Sequence, residues 1–323
     1  MEPEITAVEV APPPPKSVAS RRFASLAAPK TAVGRQQERL GWLLVLPCLL
    51  VVFLVAIYPL FETFRLSFTN TRLASAREVR NVGWDNYRRL FEDDQWWRSL
   101  QNTLIFTITS VTIEAILGMI VALTIHSAFR GRGLVRTSML VPWAIPTVVS
   151  SLLWSWMLND TYGVINSIFI RLGLMDEGRN FAWVANKSTA LGAMVAIDVW
   201  KTTPFMALLL LAGLQIIPSD VYEASYVDGA SKWQQFWQMT LPLVKPALLV
   251  ALIFRTMDAF RVFDLIYVLK QAATETMTVA IYTQNLIIGT QRIGAGSAAA
   301  VVVFICIGLM VLGYSRLVSV EEG

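Results

Sequence analysis

Residues 41–61 read GWLLVLPCLLVVFLVAIYPLF, twenty-one consecutive positions without a charged side chain. Such a run has no polar face to turn toward water, and its length matches one helical crossing of a bilayer, which takes roughly 20 residues. Five further apolar runs lie at about 103–125, 137–158, 188–214, 247–269 and 295–317. A segment in hydrocarbon must satisfy its own backbone hydrogen bonds, so each run is expected as an α-helix. The expected fold class is all-α, a polytopic membrane protein with six transmembrane helices. Only 15% of the 323 residues are charged, where a soluble domain carries about a quarter.

The remaining composition excludes several functions. The net charge of +4 comes from basic residues scattered along the linkers, not gathered on one face with aromatics, so no nucleic acid is expected as a partner. Cys48 and Cys306 lie inside apolar runs and read as small hydrophobes. His126 is the one histidine; it ends a span, and with it alone neither a metal cluster nor a nucleophile–base pair can be assembled. No G-x-x-x-x-G-K-[ST] sequence occurs, so this chain does not hydrolyse ATP through a P-loop. No catalytic residue and no cofactor of its own are expected.

Residues 1–40, with APPPPK near their start, carry too little apolar surface to offset ordering entropy and read as a disordered tail. The run that follows is too long for a signal-peptide core and is read as a retained first span of a permease-like body, residues 41–323. Six spans place both termini on one side. Lysine and arginine divide evenly between the two sets of connecting segments, but Arg130, Arg132 and Arg136 have no acid beside them. That asymmetry puts the tail in the cytoplasm. Segment 81–102 reads as a short amphipathic helix whose tryptophans sit at the lipid interface.

Between the fourth and fifth runs lies PSDVYEASYVDGASKWQQFWQMTLPLVKP, residues 218–246. Asp220 with Glu223 three residues on has the form of a capping box, and Asp228-Gly229 the form of a helix stop. Ser231 with Gln234 starts a second helix, which Pro242 is expected to close. Trp233, Phe236, Trp237 and Thr240, spaced i, i+3, i+4, i+7, form a stripe of large side chains. The stripe suits either packing at the membrane surface or docking into a groove of a partner protein.

Glu223-Ala224-Ser225, Asp228-Gly229-Ala230, Phe236 and Leu241-Pro242 resemble the EAA loop of permease subunits in binding-protein-dependent ABC importers. Ser225 stands where that loop has its second alanine, and Met239 where it has isoleucine. WKTTPFMALLLLAGLQIIP (200–218), FRTMDAFRVFDLIYVL (254–269) and the 86–107 segment resemble the first permease of sugar importers, in wording closest to trehalose/maltose-type systems. The chain departs from many of these relatives after the fifth run, where KQAATETMT replaces a Gly-Gly-Pro. The resemblance implies an ABC type I importer permease in the inner membrane, carrying a disaccharide-like sugar. It implies that 218–245 forms cytoplasmic coupling helices, with Glu223, Ala224, Asp228, Gly229, Ala230, Trp233, Phe236, Leu241 and Pro242 at the ATPase contact. The implied partners are a second homologous permease, two ATPase subunits that bind ATP and Mg, an external solute-binding protein and membrane lipid.

The fifth run also holds Arg255, Asp258, Arg261 and Asp264 at i+3 spacing with alternating sign, and the fourth holds Asp198 and Lys201 beside Trp200. A charge at bilayer depth costs roughly 2.5–3.5 kcal/mol on insertion scales, so these residues need partners or water. They either hold spans together or line the solute pathway. For the pathway the candidates are Trp200, Lys201, Asp258, Arg261 and Asp264, with Trp200, Phe260 and Tyr267 as stacking surfaces and Asn285 toward the outer side. The alternative function is a secondary transporter, driven by an ion gradient through the intramembrane aspartates.

Overall fold

The first apolar run is helical from Ala32 to Ser67, through a π turn at Phe53–Ile57. A computed structural model describes residues 32–73, 78–127, 129–176 and 180–319. The tail expected over 1–40 lies outside the described residues up to position 31, and its last part is already helix. By contact the chain forms two units, residues 1–60 and 61–323. In the first, the apolar side chains from Leu40 to Leu60 are exposed on every side, which suits a helix surrounded by lipid.

Among the described residues of the second unit, all regular structure is helical apart from a single bridge, Thr69–Asn81. Long apolar helical segments run over Asp94–His126, Ala190–Ile216, Lys232–Lys270 (with a break after Phe260) and Ile293–Tyr314. These are spans two, four, five and six. Span three is a bent pair, Arg132–Ala144 and Thr147–Met157, crossing at 89°. Among the described residues the six expected spans thus correspond, by length and composition, to five long helices and one broken one.

Spans two, four and five form the centre. Small residues let their backbones approach closely, as association within lipid requires. A methyl group added at Gly118 of span two would lie 2.6 Å from Met206 Cγ of span four. One added at Gly213 of span four would collide with the Ala247 methyl of span five. Around these crossings pack Met119, Ala122, Leu210, Leu214 and Val244, all buried.

A buried ionic cluster joins the same three helices. Arg255 of span five is 1% exposed. It donates from Nε to Glu114 Oε2 at 2.6 Å and from Nη2 to Glu114 Oε1 at 2.9 Å, a bidentate grip on span two. Nη2 also reaches Asp198 Oδ2 of span four at 3.1 Å, and Nη1 reaches Asp258 Oδ2 at 2.5 Å. The Thr202 hydroxyl donates to Glu114 Oε1 at 2.6 Å. Of the two roles open to the intramembrane charges, Arg255 and Asp198 take the first, holding spans together.

The break in span three follows from Pro142 and Pro146. Pro146 has no N–H to continue a helix, and it forces Ile145 before it into an extended conformation (φ −71°, ψ 131°). Carbonyls left open there are costly within a membrane unless the protein satisfies them. Lys201 of span four does so: its Nζ donates to Ile145 O at 2.9 Å and Trp143 O at 3.4 Å. One turn on, Phe205 stacks on Trp143 with ring centres 5.7 Å apart.

Two other expectations need correcting. Pro242 does not end a helix: Phe236–Thr240 forms a π turn, with Leu241 N–H donating to Phe236 O, and the helix continues from Leu241 to Phe260. The wider turn just before the ring accommodates a residue that has no N–H to give. Segment 81–102 is not one interfacial helix. Asp85–Glu92 stops, and Asp93 caps the long second span by accepting from Gln95 N–H at 2.8 Å. Trp84 and Trp97 are exposed, whereas Trp96 is buried in the main core.

Replacing Arg255 by Met strands Glu114 and Asp198 without a countercharge. We expect the change to cost about 3–5 kcal/mol, read as a lower thermal midpoint of the solubilised protein, with partial recovery when Glu114→Leu is added.

Candidate functional site

The insert after span four begins at Pro218, which stands in an extended conformation (φ −62°, ψ 142°) immediately before the helix Ser219–Val227. The expected Asp220–Glu223 box does not form. Pro218 occupies the cap position without a side-chain hydrogen bond, and Asp220 falls inside the first turn, where its charge still favours the positive helix end. Glu223 and Ala224 are exposed on this helix; Ser225 is buried and its hydroxyl donates to Tyr222 O at 2.8 Å.

The helix ends in a Schellman motif. Ala230 N–H reaches Ser225 O at 3.0 Å and Gly229 N–H reaches Tyr226 O at 3.1 Å. Gly229 adopts φ +78°, a conformation that side chains disfavour and glycine accepts freely. Ser231 and Gln234 then form the reciprocal capping box expected of them. The turn that the Asp228-Gly229-Ala230 motif suggested is therefore present in full.

The aromatic stripe divides in two. Phe236 and Leu241 pack against the core at the crossing of spans two, four and five, and Thr240 is buried. Trp233 (70% exposed) and Trp237 (50% exposed) face outward, edge-on to each other, with Trp237 also edge-on to Phe236. Tyr226 and Val227, beside the turn, are also exposed, and so is Pro242. Thr240 ties the two arms together: its hydroxyl donates to Gln235 O at 3.3 Å and accepts from the Tyr222 hydroxyl at 3.2 Å. Gln235 in turn donates to Ala230 O at 3.4 Å. The result is a bent, internally braced element that presents an apolar face and continues without interruption into span five.

The intramembrane candidates do not form one row. Helical geometry stops at Phe260, and Arg261 caps it with a tightened last turn, so Arg261 and Asp264 flank a break before Asp264–Lys270. Arg261 is exposed, its Nε donating to Met257 O at 3.3 Å. Asp264 is exposed in the first turn of the short helix. Asp258 shares Arg255 with the buried carboxylates, yet its side chain is 69% exposed. It is the point at which the ionic cluster opens to the surroundings.

Phe260, expected as a stacking surface, is buried in the main core because it lies on the inner side of the helix end. Lys201 is likewise turned inward, to the break in span three. Trp200 remains 40% exposed, edge-on to Trp154 at 5.4 Å, and Tyr267 stacks on Phe263 at 5.0 Å. Asn285 is half-buried and opens the π turn Asn285–Gly289. The structure thus brings Asp198, Lys201, Asp258 and Arg255 into one neighbourhood, with Arg261, Asp264, Tyr267 and Asn285 outside it. Glu114 was not among the sequence candidates. Its signal was available: it is the one charged residue in the run 103–125.

Residues 114–319 match the family described as "Binding-protein-dependent transport system inner membrane component", a span that begins at Glu114 and includes every member of the ionic cluster. The chain is 42% identical to the trehalose/maltose transport system permease protein MalF of Thermococcus litoralis, over 84% of this chain and 91% of that one. It is 37% identical to the trehalose transport system permease protein SugA of Mycobacterium tuberculosis, over 92% and 94% of the two chains. In fold it resembles a chain of a bacterial ABC transporter involved in the import of alginate, with a TM-score of 0.76 at 22% identity, covering 92% of this chain and 98% of that one. None of these is an ion-driven carrier, and the secondary-transporter alternative has no support. The chain belongs to the family of inner membrane components of binding-protein-dependent transport systems, the permeases of ABC importers.

Proposed function

We propose that the chain is the permease of an ATP-driven importer for a sugar of disaccharide type, trehalose or maltose being the nearest models. The names of the two relatives above support the substrate class. The chain pairs with a second, homologous permease to enclose the pathway. Two ATPase subunits bind ATP and Mg, and an external solute-binding protein delivers the sugar. Both termini and the 218–245 insert face the cytoplasm.

The observation that carries this reading is the exposed apolar face of a braced insert that runs straight into span five. An isolated exposed tryptophan needs no explanation, but Tyr226 and Val227 on the first arm and the paired rings of Trp233 and Trp237 on the second are all exposed, and together they make the insert suited to being covered. Glu223 and Ala224 lie exposed on the first arm of the same turn. When the ATPase pair closes, it moves the insert as a unit, and the shift biases the spans between two discrete arrangements. Asp258, Trp200, Arg261 and Asp264 contribute polar and stacking contacts to the sugar, whose hydroxyls suit carboxylate and guanidinium and whose apolar faces suit aromatic rings.

In the assembled complex, Glu223→Lys is expected to reduce sugar uptake at least tenfold while the permease stays folded and membrane-inserted; undiminished uptake would remove the coupling role. Tyr222→Phe together with Thr240→Val removes the brace. The expected result is fewer sugars moved per ATP hydrolysed, measured side by side in proteoliposomes, with hydrolysis itself retained. Asp258→Asn should change the ratio of uptake rates between competing disaccharides without dissociating the complex.

A further inference from the structure

A second polar feature lies far in sequence from the insert. The chain leaving the first run makes a small looped structure, in which Val82 N–H donates to Phe68 O at 2.8 Å and Asn70 N–H to Arg80 O at 3.1 Å. Asn86 secures its base by donating to Ser67 O and Thr69 O, each at 2.8 Å. The loop is fastened to the start of span six: Leu73 N–H donates to Gln291 O at 2.9 Å, and Gly294 N–H to Thr71 O at 3.0 Å. Any side chain at Gly294 would collide with Thr69 O. These walls enclose a recess of about 100 Å³ lined by Arg72, Arg89 and Arg292, with Asp85, Asn86 and Thr71.

The charges around the recess do not cancel. Asp85 is paired with Arg89 at 3.0 Å. Glu78 pairs with Arg80 and Glu92 with Arg88. Asp93 accepts from the Tyr282 hydroxyl and from Gln95 N–H. Among the described residues neither Arg72 nor Arg292 has a carboxylate partner, which leaves two guanidinium groups facing one rigid recess. A guanidinium fork matches the oxygens of a phosphate in shape and charge.

The position of the recess defines the source of the anion. It sits where one membrane helix ends at Ser67 and another begins at Ile293, against the short Asp85–Glu92 helix. On the adjoining Asp85–Glu92 segment and at the start of span two, Trp84, Phe91 and Trp97 are exposed, and aromatic side chains of this kind collect at headgroup depth. With both termini in the cytoplasm, as proposed above, the recess lies at the outer face, where a pair of guanidinium groups at headgroup depth meets anionic lipid phosphate by the same chemistry that basic pockets use on the cytoplasmic side.

We propose that this recess binds the phosphate of an anionic phospholipid headgroup through Arg72 and Arg292, fixing the first long loop to the start of span six. The site is separate from the ATPase contact and from the intramembrane cluster, so it stands or falls apart from the reading of those two.

The test uses the intact, detergent-purified transporter, titrated with phosphatidylglycerol, phosphatidylcholine or inorganic phosphate and followed by native mass spectrometry. Wild type should retain one phosphatidylglycerol in preference to phosphatidylcholine. Removing both charges, Arg72→Gln with Arg292→Gln, should weaken retention roughly 30-fold, about fivefold per charge, and Arg72→Lys with Arg292→Lys should keep most of it. The thermal midpoint of each variant in lipid-free detergent should equal wild type, separating loss of the ligand from loss of the fold. Equal retention by the Gln variant overturns the proposal. So does full displacement of the lipid by millimolar inorganic phosphate, which would make free phosphate the ligand. If the Gln variant keeps its lipid but loses stimulation by the solute-binding protein, the recess is a protein contact and the proposal fails.

Discussion

The guanidinium of Arg255 holds three membrane helices at one point, with carboxylates from spans two, four and five converging on it. An arginine placed alone in an apolar helix would oppose insertion, and so would Glu114. Each is stable there because the other is present, and that mutual requirement makes the packing of the three spans specific where lipid-like side chains alone would leave register loose. Buried ion pairs add little net stability over well-packed apolar residues, but they penalise any arrangement that separates them. Gly118 and Gly213 then let the same helices close to contact distance between the cluster and the 218–245 insert.

Lys201 extends the logic to irregular backbone. Span three turns through 89° in the membrane, a geometry that lipid cannot solvate. The ammonium on span four supplies the missing donors for two carbonyls, while Phe205 covers Trp143 beside them. The charges in spans four and five therefore divide by direction. Arg255, Asp198 and Lys201 point inward and maintain structure, whereas Asp258 points outward and remains accessible.

Much of this could be read from the chain, and the failures share a cause. The helix stop at Asp228-Gly229 and the cap at Ser231 were legible because their determinants lie within four residues of each other. Six crossings were legible because hydrocarbon enforces length and composition. Span three reads as one unbroken run although it holds Pro142 and Pro146, and the repair of its break by Lys201 depends on a residue over fifty positions away. Pro242 misled because a π turn leaves no trace in residue type. The i+3 row from Arg255 to Asp264 assumed an unbroken helix, and Phe260 was given to the pathway because helical phase does not say which side of a span faces its neighbours. Glu114 went unnoticed for lack of a visible partner in its own segment.

The continuity of span five with the insert has a mechanical consequence. From Lys232 to Phe260 the chain forms a single rod of 29 residues, roughly 43 Å at about 1.5 Å per residue. The π turn widens this rod without interrupting it, and the first true flexure is the gap between Phe260 and Asp264. A tilt of about 5° at the foot would sweep the opposite end through roughly 4 Å over that length. Angular movement too small to disturb local contacts at one membrane face thus arrives at the other as a displacement wider than a water molecule, beside the exposed carboxylate of Asp258.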